Sequence, residues 1–153
     1  PRAIAEAAGV AVAAQLAAPR LSKAARDLVE AFWPGPLTVV VRAQPSLAWD
    51  LGDANGTVAL RMPLHPVAIE LLTATGPMAV TSANVAGAAP PTDFLGAEEQ
   101  LADSVAIYLD AGALPDSAPS TILDLTGPVP RLLRAGAFDL DTLRTVCPEI
   151  VPG

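Results

Sequence analysis

Arg61 ends the run Thr57-Val58-Ala59-Leu60-Arg61, Ser82 and Asn84 follow Met78-Ala79-Val80-Thr81, and Arg134 ends Arg131-Leu132-Leu133-Arg134. Each of these polar groups stands at or just past the carboxyl end of a strand-like stretch. Ligands of open α/β sheets bind there. Arginine is always charged, and its planar fork matches a carboxylate or a phosphate. The loop from Val80 to Pro91 adds hydroxyls, an amide, Gly87 and backbone N–H groups that can lie close to a ligand. Together these residues suit a pocket for a small anionic molecule. They also have a plainer explanation, with the arginines as surface charges and Ser82 and Asn84 satisfying a turn.

The other candidates carry less. His65, the only histidine, sits between Leu64 and Pro66 and reads as a capping or packing residue. Asp50 and Asp53 lie in a loop that is either solvated or cation-binding, and Ser120 and Thr121 open a strand-like run. Cys147, the only cysteine, reads as an inert thiol on a helix and leaves no internal disulfide and no Cys/His zinc cluster. No acid–base pair, nucleophile or metal-ligand set is identified. The phosphate-cradling glycine loops and the nucleophile elbow are absent.

Alternating segments must position these groups. Residues 2 to 18 read as an alanine-rich helix ended by Pro19. Ser22 reads as the N-cap of a second helix through Trp33, which Pro34-Gly35-Pro36 stops. Strands are expected at 37–41, 57–61, 78–81, 105–110, 120–125 and 131–134, and helices at 66–75, from Thr92 or Asp93 to about Ala102, and from Asp139 toward Cys147. Some strands are adjacent and others are separated by helices. The expected fold is therefore α/β or α+β, an open sheet of mixed direction, in a single domain over 1–153.

Composition narrows the function. The chain has 153 residues, 52% hydrophobic, and only 4% are aromatic, so the core must be aliphatic. The net charge of -7 argues against a broad nucleic-acid-binding face. The apolar stretch from Ala3 to Ala18 contains Glu6, Gly9 and Gln15 and is too short to span a bilayer. One cysteine and no membrane segment favour a reducing, cytoplasmic setting. Pro1 followed at once by a helix-like stretch, with no leading strand, points to an incomplete start.

Five runs occur in order: Phe32-Trp33-Pro34-Gly35-Pro36-Leu37-Thr38; Leu60-Arg61-Met62-Pro63 with His65-Pro66; Thr81-Ser82-Ala83-Asn84 with Gly87; Ser120-Thr121-Ile122-Leu123-Asp124; and Leu133-Arg134-Ala135-Gly136. Through these the chain resembles the YrdC-like family of threonylcarbamoyl-AMP synthases. Each run is short, and their order and spacing make the signal specific. The resemblance implies a twisted mixed sheet flanked by helices. It also implies condensation of L-threonine, bicarbonate or carbon dioxide, and ATP accompanied by Mg2+, to threonylcarbamoyl-adenylate and pyrophosphate. A partner transferase would then pass the group to a tRNA adenosine.

Matched motif by motif, the resemblance implies that Arg61, Ser120 and the main chain at Val80 touch threonine, and that Thr57, Ser82, Asn84, Pro90 and Arg134 line the ATP side. Such chemistry depends on positioning and charge neutralisation, which agrees with the lack of a nucleophile. The family's Pro-Thr-x-Thr-x-Tyr-Gly-Leu strand and its Lys-x-Arg element are missing, since the only lysine stands in Ser22-Lys23-Ala24-Ala25-Arg26. The expectation is a family domain incomplete at its N-terminus, with little activity alone and an exposed sheet edge. The alternatives are a non-catalytic module making an RNA contact, to double-stranded RNA or tRNA, and the carbamoyl-transfer domain of much longer hydrogenase-maturation proteins. The charge of -7 weighs against the RNA module.

Overall fold

Leu37-Thr38-Val39-Val40-Val41-Arg42 forms the strand β2 (Leu37–Arg42), whose first five side chains are all buried. β-Branched residues fit a pleated surface covered on both sides. The computed structural model describes residues 4–17, 21–49, 54–114 and 118–153. Around β2 it builds a seven-stranded sheet from β1 (Ile4–Glu6), β3 (Thr57–Arg61), β4 (Met78–Val80), β5 (Thr121–Asp124), β6 (Arg131–Arg134) and β7 (Val151–Pro152), in the order β4-β1-β3-β2-β5-β6-β7. The pairs β1–β3, β2–β5 and β6–β7 are parallel, and β1–β4, β2–β3 and β5–β6 are antiparallel. The mixed open sheet expected from the sequence is therefore present.

The helices are α1 (Val10–Ala14), α2 (Lys23–Phe32), α3 (Pro66–Thr75), α4 (Phe94–Leu101) and α5 (Leu140–Arg144). Ser22 caps α2, its Oγ accepting from Ala25 N at 3.1 Å. Asp93 and Asp139 cap α4 and α5 in the same way, accepting from Gly96 N and Thr142 N. Pro66 begins α3, where its missing N–H costs nothing.

One sheet face makes the core. Ala5, Leu37, Val39, Val41, Val58, Leu60 and Leu123 pack with Ala25, Leu28 and Val29 of α2 and with Leu143, Cys147 and Ile150. Burying a Leu or Ile side chain fully contributes about 1.5–3 kcal/mol. The period-two alternation of a strand sends Thr57, Ala59 and Arg61 of β3, and Thr38, Val40 and Arg42 of β2, to the opposite face.

Two compact units are present, Pro1–Val80 with Pro119–Gly153, and Thr81–Ala118. The sheet belongs to the first. The second holds α4 and a short 3-10 turn (Ala102–Ser104), cross-linked by side chains. Gln100 accepts from Val85 N at 3.0 Å and donates to Ala89 O at 3.1 Å, and Tyr108 donates to Ala102 O at 2.7 Å.

The structure departs from the sequence reading at four places. The expected helix over 2–18 is the strand β1 followed by the five-residue α1. Pairing with β3 and β4 outweighs alanine's helix propensity there, and Ala5 and Ala7 are small enough to be fully buried. Gly9, extended at φ -178°, then serves as the N-cap of α1. The run Val105–Asp110, expected as a strand, has no ladder and is irregular, because β propensity needs a partner strand to act. Val151–Pro152, not expected as a strand, adds β7 at one sheet edge. The strand ends expected to converge do so only in part. β1 runs parallel to β3 and antiparallel to β4, so the carboxyl ends of β3 and β4 lie at opposite ends of the sheet. Pro19, Asp50, Gly52, Asp53 and Pro115 lie outside the described residues.

Candidate functional site

Ser120 enters β5 with 6% of its surface exposed and Thr38 lies beneath it fully buried, their hydroxyls 3.0 Å apart. Buried hydroxyls require partners, and here each meets the other. Arg134 completes the group. Its Nε and Nη2 donate to Ser120 O at 3.0 and 2.7 Å, and Nη2 also donates to Ser120 Oγ at 3.0 Å. Among the described residues both N–H groups of Nη1 have no partner, and Arg134 is exposed.

A β-bulge aims Arg134. Leu132 packs against the core, so a regular strand would turn Arg134, two residues on, to the same face. The register shifts between Ile122 and Leu123, and Arg134 aligns with Ile122 while Leu132 aligns with Leu123. The extra residue brings the guanidinium to the face that Thr38 occupies. Gly136 makes the approach of the two segments possible. A Cβ there would lie 2.2 Å from Pro119 O and 2.7 Å from both Ser120 C and Thr121 N. Ala137 N donates to Pro119 O at 3.0 Å, and Thr121 Oγ1 exchanges two hydrogen bonds of 2.9 Å with the Phe138 backbone.

Arg61 closes β3, one residue past the Val39–Leu60 pair. The carboxyl ends of β3 and β6 and the start of β5 share one end of the sheet. The structure therefore brings Arg61, Ser120 and Arg134 to the same end. Among the described residues Arg61 forms an ion pair with Glu6, its register partner on β1, with Oε1 3.6 Å from Arg61 Nε. That distance makes an ion pair without a hydrogen bond. Arg61 Nε is buried with no hydrogen-bond partner among the described residues, and no side-chain hydrogen bond of Arg61 is present among them.

Burial raises the Glu6 pKa above its ordinary value of 4.5, and the Arg61 charge only partly offsets this. The ionised carboxylate is thus disfavoured by folding. The contribution of the protonated carboxyl to stability is fully present below 4.5 and is lost as the pH rises from there through the higher folded value. Replacing Glu6 by glutamine should remove that dependence. Thermal melts should show the Glu6→Gln protein gaining on its parent from acidic to neutral pH, and a gap that stays constant would refute this.

The remaining residues are placed as follows. Thr57 opens β3, about 13 Å along the strand from Arg61. Its hydroxyl donates to Ala54 O at 2.6 Å, closing a turn in which Asn55 and Gly56 both have positive φ. Val80 shares a rung with Ile4, and the Arg61 rung contains Glu6 and Met78, two residues or about 7 Å away. In the second unit, Asn84 Nδ2 donates to Val85 O and Ala88 O, both at 3.0 Å, around a turn with Gly87 at φ 87°. Ser82 and Pro90 are exposed there, and no hydrogen bond of the Ser82 hydroxyl is present among the described residues. His65 occupies the N-cap position of α3 without a side-chain capping bond. Cys147 is buried, and its pKa is pushed up by that burial, the opposite of an activated thiol. Among the described residues no group of three or more His, Cys, Asp or Glu could hold a metal ion, and no helix is long and apolar enough to cross a membrane.

Sequence reasoning missed three contributors. Thr38 had a readable signal, since a hydroxyl inside a buried run must be partnered. Glu6 had none, because its segment reads as helix. Gly136 read as a strand breaker, and only the packed 119–121 segment shows why it is glycine.

A sheet end with a half-buried arginine that has no acceptor among the described residues, and an arginine-bound serine, can hold an anionic ligand by charge-assisted hydrogen bonds. The Sua5/YciO/YrdC family model, described as "Telomere recombination", matches residues 5–136. A putative threonylcarbamoyl-AMP synthase of Mycobacterium tuberculosis is 60% identical over 122 residues, covering 80% of this chain and 56% of that protein. This chain thus spans about half the length of such curated relatives. The structure of Pyrococcus abyssi Sua5 complexed with L-threonine is 31% identical with a TM-score of 0.92, covering 99% of this chain and 45% of that one. Escherichia coli YciO, 23% identical, shares the fold with a TM-score of 0.82 over 93% of this chain and 69% of that one. The chain belongs to the Sua5/YciO/YrdC family of threonylcarbamoyl-AMP synthases.

Proposed function

We propose that this chain carries the threonine site and part of the nucleotide site of a threonylcarbamoyl-AMP synthase. The observation that carries the reading is Arg61, a side chain 30% exposed whose guanidinium has no hydrogen-bond acceptor among the described residues. It would grip the threonine carboxylate through two parallel N–H bonds. Ser120 and the Val80 main chain would contact the rest of the amino acid. Arg134, through Nη1, would meet a phosphate of ATP, with Thr57 also on the nucleotide side. Support comes from Arg61 and Ser120 sharing one sheet end and from the threonine complex of a relative.

In the reaction, the threonine amine and bicarbonate give a carbamate with loss of water. A carbamate oxygen then bonds to the α-phosphorus of ATP as the bond to pyrophosphate breaks. No protein nucleophile is required. The residues supply position and positive charge, and Mg2+ would enter with the ATP it accompanies. The adenylate would pass to a partner transferase acting on tRNA in the cytosol.

Titrating this chain with L-threonine by calorimetry tests the reading. Saturable binding is expected, and none would sink it. ATP–pyrophosphate exchange with threonine and bicarbonate is expected to be weak for this chain, because the sequence has a single lysine and no Lys-x-Arg element. Robust exchange would overturn that part.

A further inference from the structure

Glu6 lies where a carboxylate ligand of Arg61 would feel it. The parallel register places the two residues side by side on β1 and β3. Glu6 Oε1 stands 3.6 Å from Arg61 Nε, near enough for charge attraction and too far for a hydrogen bond. The Glu6 side chain is 16% exposed, so water screens its charge only in part. We propose that Glu6 is an internal competitor for the Arg61 guanidinium, weakening its grip on a ligand carboxylate at the Nη1/Nη2 edge of the fork. The inference rests on the threonine reading of Arg61.

The physical argument is one of like charges. Arg61 Nε is buried, so a ligand carboxylate can reach only the Nη1/Nη2 edge, where it shares the guanidinium with the Glu6 carboxylate. Two anions sharing one cation repel, and the repulsion grows as water is excluded. The Nη1/Nη2 edge presents two N–H groups farther from Glu6. A carboxylate bound there still bears a residual cost from the Glu6 charge. Glutamine at this position keeps the size and polarity of the side chain and removes the charge alone.

Calorimetric titration of the parent and of Glu6→Gln with L-threonine, and with L-threoninol as the same ligand without its carboxylate, tests the proposal. Glu6→Gln is expected to bind threonine about fivefold more tightly and threoninol no more tightly than the parent does. If the parent binds and the variant binds threonine equally or more weakly, the competitor role falls while the threonine site stands. If threoninol tightens as much as threonine, the change is one of local structure and the role falls as well. If neither protein binds threonine, both readings fall together.

Discussion

Arg61→Gln is expected to weaken L-threonine binding by about 100-fold or more, because removing one partner of a desolvated charge pair costs roughly 2–5 kcal/mol. Glutamine occupies similar space and supplies one amide in place of a charged fork. Little of the fold depends on the guanidinium, which makes no hydrogen bond among the described residues. Melting should therefore remain cooperative in the variant. Arg61→Lys separates charge from geometry. It keeps the cation and loses the planar pair of donors, so its affinity should fall between those of the parent and of Arg61→Gln. Calorimetry on the three proteins decides the matter. Threonine affinity within threefold of the parent in Arg61→Gln would remove Arg61 from the site, and with it the main support for the proposed function.

The second large effect is expected at Gly136. Replacement by alanine should destabilise the protein by about 3 kcal/mol, lowering Tm by roughly 10 °C. The added Cβ would meet Pro119 O at 2.2 Å and the backbone at Ser120 and Thr121 at 2.7 Å. All three are main-chain atoms, and no flexible side chain can yield in their place. The segment that must move contains Ser120, so the damage extends from stability to the site. The hydrogen bonds from Arg134 to Ser120 and the contact between Ser120 and Thr38 would be disturbed together. Thermal melts and threonine titrations on the same variant check both consequences. Melting unchanged within about one degree would show that the two segments can separate freely.

Much of the architecture was legible because local signals and tertiary demands agree. The runs at 37–42, 57–61, 121–124 and 131–134 are apolar, alternating or β-branched, and each became a strand. Ser22, Pro66 and Asp93 marked helix starts through chemistry that acts within one turn. The failures share one cause. Ile4–Glu6 reads as helix because alanine surrounds it, and it becomes a strand because β3 and β4 offer backbone partners on both sides. Val105–Asp110 reads as strand because of its side chains, and it has no partner strand among the described residues. Pairing is a property of two segments, and neither segment's composition records it.

The same distinction governs the site. Residue types and spacing by themselves suited an anionic ligand held without covalent catalysis, through arginines at strand ends, a small-residue loop and the absence of a nucleophile. They also pointed to the family. Only the tertiary structure decided which of these groups stand together. Strand direction places Arg61, Ser120 and Arg134 at one end of the sheet, with the carboxyl end of β4 at the other. One bulged residue turns Arg134 to its face, and parallel register places Glu6 against Arg61. The reason is physical. A side chain's chemistry belongs to its residue, while the charge it faces and the hydrogen bonds it makes belong to neighbours that are distant along the chain.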